Sequence, residues 1–458
     1  MPFAPYSLAE FVIRRSPGWV ATSAIDRLGH AAKPVVGWTV VGAAMLTGIG
    51  LARRSAATKA MVAAALTVGA AALDPNHPAV VAVLVSAGVA ATAVGAASVL
   101  LAIDTTTRPA GVDPVRRRLL AGAGLVVGAA WLTPAALRRS LRRVPATAVR
   151  ADRPATVRAD PLFAAVGGLS PLVTPTAAHY VVDIDLDPPA VAAPSWRLQV
   201  GGLVANRLSW GLDDLGAQIT DERLITLSCI SNPVGGPLVG NARWTGVPLA
   251  ELLRQARPSA GARFVVAEAA DGYRESYPLE LAMGADPLVA FGMDGSLLPV
   301  AHGAPARLVV PGHYGMKSVK WLTKLAVIDA DPVGYWGQRG WNEPATTRTE
   351  SRIDTPRGFA HVQSPVAVAG VAWAGDRRIA GVEVSADDGR TWLPAQLERE
   401  AGRLSWRRWL LRLSLAPGLH PLTVRAIDGS GAVQDAQRRS PHPSGASGYH
   451  RVNVTVVP

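Results

Sequence analysis

The chain has 458 residues, of which 49% are hydrophobic and 17% charged, with a formal net charge of +12. That balance excludes a disordered or charge-solvated chain and leaves room for about two or three domains. Thirty-six prolines and 45 glycines argue against long coiled coil, and the single cysteine, Cys229, excludes any intrachain disulfide and any four-cysteine zinc or iron–sulfur site.

The positive charge is unevenly spread. Residues 1–150 carry 16 Lys and Arg against 5 Asp and Glu, and residues 151–458 carry the other 30 against 29. The nearly neutral remainder has little electrostatic affinity for nucleic acid, so no nucleic-acid partner is expected. In the first third the basic residues sit between apolar stretches at about 35–51, 60–73, 79–103 and 119–137. The third stretch has 25 residues without a charge, against the ~20 needed to cross a bilayer. The second is short for a span. The sequence therefore predicts a membrane anchor of about four transmembrane helices over 1–143, with membrane lipid as a partner.

Loop charge sets the orientation. Arg53, Arg54 and Lys59 follow the first stretch, Arg108, Arg116, Arg117 and Arg118 precede the fourth, and DPNHP (74–78) carries no Lys or Arg. The positive-inside rule places DPNHP outside the cell membrane and everything after the fourth span on the extracytoplasmic side. Arg138, Arg139, Arg142 and Arg143 run against that orientation. Pro114 to Leu120, followed by AGAGLVVGAAWL, resembles a twin-arginine export signal placed internally. Residues 144–175, with their Ala/Arg/Pro theme, read as an extended linker.

From 176 to 358 the pattern is mixed α/β. Strands are expected at 196–204, 223–229, in RFVVAEA, in PLVAFGM, in ARLVV and in KLAVIDA, with a helix at 247–256 and a short one in PLELAM. The run ISNPVGGPLVGNARW after Cys229 reads as a polar loop. From 359 to 458 short alternating strands separated by DDG and DGSG turns predict an immunoglobulin-like β-sandwich. Trp373, Trp392, Trp406 and Trp409 in it are expected to pack rather than to bind a ligand.

Two clusters carry chemistry. Cys229 ends a strand and opens a Gly/Pro/Asn-rich loop. A thiolate there is a soft ligand for a heavy transition metal whose other ligands come from a cofactor. The second cluster, HGAPARLVVPGHYGMKSVKW at 302–321, sets His, Arg and two Lys among glycines. Arg and Lys contact phosphate, and Gly-rich turns present backbone N–H groups to anions.

At these residues the chain resembles the oxidoreductase molybdopterin-binding domain of the sulfite oxidase superfamily. The likeness lies in ITLSCISNPVGGPLVGNARWTGVPLAELL, in 302–321, in YWGQRGWNE and in SRIDTPR. The region from 359 is similar to the family's C-terminal domain, and the front resembles actinobacterial-type members with a multi-span anchor. The fold expected is multi-domain: N-terminal transmembrane helices, an α+β molybdopterin domain and the sandwich.

The resemblance implies a mononuclear molybdenum held by one pyranopterin and by the Cys229 thiolate. By motif matching it also implies that Tyr180, Asn232, His302, Arg307, Ser318, Val319 (through its backbone) and Lys320 hold the pterin. Two departures stand out. The segment at 180–183, where sulfite oxidases proper have an arginine, reads Tyr-Val-Val-Asp, and Phe291 stands where they have a tyrosine. The expected activity is two-electron oxygen-atom transfer on a small S- or N-containing substrate, with a separate redox protein or quinone exchanging electrons and a homodimer through the sandwich. The alternative is a non-catalytic binding or scaffold protein that keeps the fold.

Overall fold

The computed structural model describes residues 147–458 except 156–157, 159, 185–187 and 190. Contacts divide the chain into two units, and every helix and strand below belongs to the one containing 146–182 and 189–458.

In chain order the first part carries α1 (Pro161–Ala164), β1 (Leu198–Gly202), β2 (Leu208–Trp210), α2 (Leu212–Gly216), β3 (Asp221–Ser228) and β4 (Val239–Pro248). It continues with α3 (Leu249–Ala256), β5 (Phe264–Ala269), β6 (Arg274–Pro278), α4 (Leu279–Ala282), β7 (Leu288–Met293), β8 (Ser296–Leu297), β9 (Arg307–Val309) and β10 (Leu322–Ile328). One sheet has the order β2-β1-β10-β5-β6, and a second runs β3-β4-β7-β8 with β9 also on β7. All six residues of β7 are buried, so its unbroken LVAFGM run reads as a strand covered on both faces. In α3, Leu249, Leu252, Leu253 and Ala256 are buried, the spacing of one helix face. β1 lies parallel to β10, with Gly202 opposite Val327. Gly202 has φ +89°, and a Cβ there would stand 2.1 Å from the Val327 carbonyl oxygen, so only glycine fits.

The second part carries β11 (Glu350–Thr355), β12 (His361–Val362), β13 (Val366–Trp373), β14 (Ile379–Ser385), β15 (Leu393–Pro394), β16 (Gln396–Leu397), β17 (Arg407–Leu413), β18 (Gly418–Asp428) and β19 (His450–Val456). Sheets β11-β13-β17-β16 and β12-β19-β18-β14-β15 face each other. Val368, Trp409 and Leu413 from the first meet Val384, Leu422, Val424 and Val454 from the second in one core. This is a β-sandwich. Trp373, Trp406 and Trp409 are buried, and Trp392 meets Tyr449 edge-on with the Arg425 guanidinium over its own ring.

The fold class needs one correction. Among the described residues no helix is long and apolar enough to cross a membrane. The stretches at 35–51, 60–73, 79–103 and 119–137, the remainder of the anchor over 1–143 and the twin-arginine-like run lie outside the described residues. The architecture of the described residues is thus mostly β, two sheets followed by a sandwich with short helices, and no transmembrane helix is among them. Two local differences follow from packing. In the segment read as an extended linker, Asp160 caps α1 by accepting from the Leu162 N–H, and Phe163 is buried against Ala369 and Leu410. The second half of the expected loop at 230–244 is β4, whose Asn241 amide donates to the Leu172 carbonyl (2.7 Å) and to Ser405 Oγ (2.9 Å). A buried polar residue supplied with partners is tolerated in a strand.

Glu350, at the start of β11, is buried, with the Tyr314 hydroxyl donating to it at 3.3 Å. Burial lifts its carboxyl from 4.5 to about 8. Between those values the native state keeps a proton the unfolded chain has lost, so this group's contribution to stability falls as pH rises, by at most ~1.4 kcal/mol per unit. His179 and His450 work oppositely: burial holds them down at about 3 and about 4, so their contributions grow as pH rises towards 6.5. Above pH 6.5 Glu350 dominates among the three. Urea unfolding at pH 6.5 and pH 8 is expected to show a fall in the wild type that Glu350→Gln removes; equal slopes would contradict the assignment.

Candidate active site

Cys229 is the first residue past β3. Its N–H donates to the Leu238 carbonyl (2.9 Å), its carbonyl accepts from Asn232 N–H (3.0 Å), and Asn232 Oδ1 accepts from Leu238 N–H (2.8 Å). These bonds brace the loop from inside and leave Cys229 half-buried, its Sγ 2.9 Å from Ser231 Oγ. The sandwich presses on the same loop. Arg352 Nη1 on β11 donates to the Gly236 carbonyl (2.8 Å), and a Cβ on Gly235 would meet the His450 ring at 2.2 Å.

A second wall comes from the turn Thr176–Ala178 and the two residues after it. His179 stacks on Tyr180 (5.2 Å between ring centres) and meets His302 (5.5 Å) and Trp244 (5.9 Å) edge-on. Burial, reinforced by His302, Arg307 and Lys320, keeps its imidazole neutral, at about 3. Its Nδ1 lies 3.3 Å from the Tyr180 carbonyl, which assigns the proton to Nδ1 and the lone pair to Nε2. Burial and the neighbouring Cys229 raise the Tyr180 phenol above its ordinary range. A Cβ on Gly315 would fall 2.4 Å from the Tyr180 hydroxyl and 3.5 Å from the Ser228 carbonyl, so Gly315 lets three segments meet beside Cys229.

The third wall is the 302–321 run. His302 Nε2 lies 2.9 Å from the Thr176 carbonyl. Arg307 opens β9, lies over the Trp244 ring at 4.8 Å, and donates to the carbonyls of His302 and Ser318 (both 3.1 Å). Ser318 Oγ accepts from Val310 N–H (3.1 Å), and the Val319 carbonyl accepts from Leu308 N–H (2.8 Å). Lys320 Nζ donates to the Ala301 carbonyl (3.0 Å) and lies 5.1 Å over Trp321. Lys317 turns away into a buried ion pair with Glu275 (2.7 Å).

The fold therefore gathers Tyr180, Cys229, Asn232, His302, Arg307, Ser318, Val319 and Lys320 from four separated stretches around one region. Sequence reasoning missed His179, Ser231 and Trp244; the first two were legible only as neighbours of Tyr180 and Cys229. Phe291 is buried in β7.

Whether these residues suit a molybdenum–pterin group is decided by their unused polar atoms. Asn232 Nδ2 and His179 Nε2 are buried without a hydrogen-bond partner, one a donor and one an acceptor. A pterin ring, with ring N–H groups and a carbonyl, offers both complements. Among the described residues no three His, Cys, Asp or Glu gather as a metal cage. A metal on the soft Cys229 sulfur would draw its remaining ligands from the cofactor. The residues fit the group.

The comparisons agree. Residues 185–336 match the family described as oxidoreductase molybdopterin binding domain, and residues 347–457 match the Mo-co oxidoreductase dimerisation domain. Mitochondrial sulfite oxidase of Mus musculus is 31% identical over 369 residues, 69% of this chain and 67% of that protein. The protein-methionine-sulfoxide reductase catalytic subunit MsrP of Ralstonia nicotianae is 33% identical over 266 residues, 53% of this chain and 77% of that protein. The sulfane dehydrogenase SoxCD from Paracoccus pantotrophus shares the fold, with TM-score 0.58 at 23% identity over 68% of this chain and 88% of that one. Motif, geometry and likeness converge, and the chain belongs to the sulfite oxidase superfamily of molybdenum–molybdopterin oxidoreductases.

Proposed function

We propose that the enzyme catalyses two-electron oxygen-atom transfer on a small S- or N-containing substrate that carries no strong negative charge. The observation that carries the reading is the half-buried Cys229 thiol set among the unpartnered Asn232 Nδ2 and His179 Nε2. When bound, the molybdenum cofactor supplies the oxygen-atom and electron-pair chemistry. The chain supplies the rest. Cys229 fixes the metal through sulfur. Asn232 and His179 hold the pterin edge, and Arg307 joins the 302 and 318 segments into one wall. Lys320 and the backbone of 318–320 would hold the phosphate. Tyr180, kept protonated by burial, would offer the pterin a hydroxyl beside Cys229 without carrying charge.

The substrate half rests on two departures from the sulfite oxidase pattern. Residues 179–183 read His, Tyr, Val, Val, Asp, with no fixed cation, and Phe291 offers no hydroxyl. An anion such as sulfite would lack its charge-assisted contacts there. The two electrons pass to or from a separate redox protein or quinone, and the region at 347–457 pairs two copies of the chain. Full-length protein from a host that makes the cofactor is expected to hold molybdenum and pterin, and to turn over methyl sulfoxides or amine N-oxides with artificial carriers faster than sulfite. Absence of the cofactor, or turnover of none of these, would overturn the reading. Preference for sulfite would overturn its substrate half.

A further inference from the structure

Of the turn Gly315–Lys317, which leads into residues 318–320, the last carbonyls have no partner within so short a helix. They are met from one strand. Tyr273, just before β6, and Glu275 and Tyr277 within it alternate with Arg274 and Ser276, so all three share a face. Tyr273 OH donates to the Met316 carbonyl and Tyr277 OH to the Lys317 carbonyl, both at 2.7 Å. Glu275 Oε1 accepts from Lys317 Nζ at 2.7 Å, and the Ser276 carbonyl and Glu343 lie 3.3 Å from the same ammonium. Tyr273, Glu275 and Tyr277 are 8%, 1% and 1% exposed, so each bond is made without competition from water.

The opposite side of the turn is held by β9: Arg307 binds the Ser318 carbonyl and Leu308 the Val319 carbonyl. Residues 318–320 are pinned between an edge strand of the first sheet and a strand of the second. We propose that Tyr273, Glu275 and Tyr277 are positioning residues that fix the 318–320 turn in the geometry that grips the cofactor. They also remove Lys317 from the anion site by pairing it with Glu275. The inference rests on the reading of 318–320 given under Proposed function.

The two phenols can be deleted without removing a carbon atom. Y273F/Y277F leaves two buried carbonyls unmatched at the turn, while β6 keeps its ladder to β5. The expected result is a cofactor dissociation rate raised about tenfold or more, read as molybdenum and released pterin fluorescence per protein after timed dialysis. The two unmatched carbonyls are expected to lower the thermal midpoint of the cofactor-free protein as well, so the rise is read against Glu398→Ala, which lowers the midpoint from the sandwich and is expected to keep wild-type retention. Single variants Y273F and Y277F are expected to show smaller rises of the same kind. Cofactor retained by Y273F/Y277F as in the wild type would overturn the inference, as would losses that only track a falling midpoint. A wild type that holds no cofactor at all would instead overturn the reading beneath it.

Discussion

Cys229→Ser is expected to abolish turnover while leaving the fold in place. Loss of a group standing behind a metal ligand costs ~10–100-fold, so loss of the ligand itself is expected to cost more. Serine is nearly the same size, and the site is half-buried at the end of β3, so packing changes little. The chemistry changes sharply, because a thiol is readily deprotonated to a soft ligand whereas a hydroxyl near neutral pH is a protonated, hard one. The Ser231 hydroxyl at 2.9 Å can hydrogen-bond either side chain, which keeps the loop closed. Steady-state turnover with artificial carriers, beside circular dichroism and thermal unfolding, checks this. Full activity in the variant would remove Cys229 from the reaction.

The largest effect on stability is expected at Glu398, far from that chemistry. Glu398 binds Arg408 through both oxygens, Oε2 to Nε at 2.7 Å and Oε1 to Nη2 at 2.6 Å, and Oε1 also accepts from Asp160 N–H at 2.9 Å. Both side chains are nearly fully buried, and the guanidinium lies over Phe163 at 5.8 Å. Glu398→Ala leaves a buried cation unpaired, at a cost of about 3–5 kcal/mol. It also loosens α1, which Phe163 and Asp160 tie to the sandwich. The double variant Glu398→Leu/Arg408→Met exchanges the pair for apolar groups of similar volume and is expected to recover most of the loss. Urea unfolding of the three proteins measures it, and a cost below about 1 kcal/mol for Glu398→Ala would contradict the account.

What could be read from the sequence divides along a physical line. Strands with an apolar face or an apolar run were legible: β3, β5, β7, β10, β13, β14, β17, β18 and β19 fall where alternation or unbroken Val/Ile/Leu stretches place them. β6 and β11 were not. Their sequences, RESYP and ESRIDT, bury Glu275, Glu350 and Ser351, each with a side-chain partner distant in sequence, and such partners cannot be read from the local pattern. β4 was hidden for the same reason, behind Asn241 and the close-packed Gly240 and Gly246.

At the site, Cys229 and the 302–321 run stood out because two dense motifs in fixed order carry information. His179 did not, since a single histidine beside a tyrosine carries none until the fold sets it against His302 and Trp244. The Lys317 side chain illustrates the converse. Its place in a basic motif suggests an anion contact, and only Glu275, 42 residues earlier, shows that its charge is already used.

Cys229 is proposed to bind the metal of a pterin cofactor through its sulfur. Molybdenum K-edge X-ray absorption on the purified wild type and on Cys229→Ser checks this bond. One sulfur neighbour fewer around molybdenum is expected in the variant. An identical sulfur shell in both proteins would contradict it.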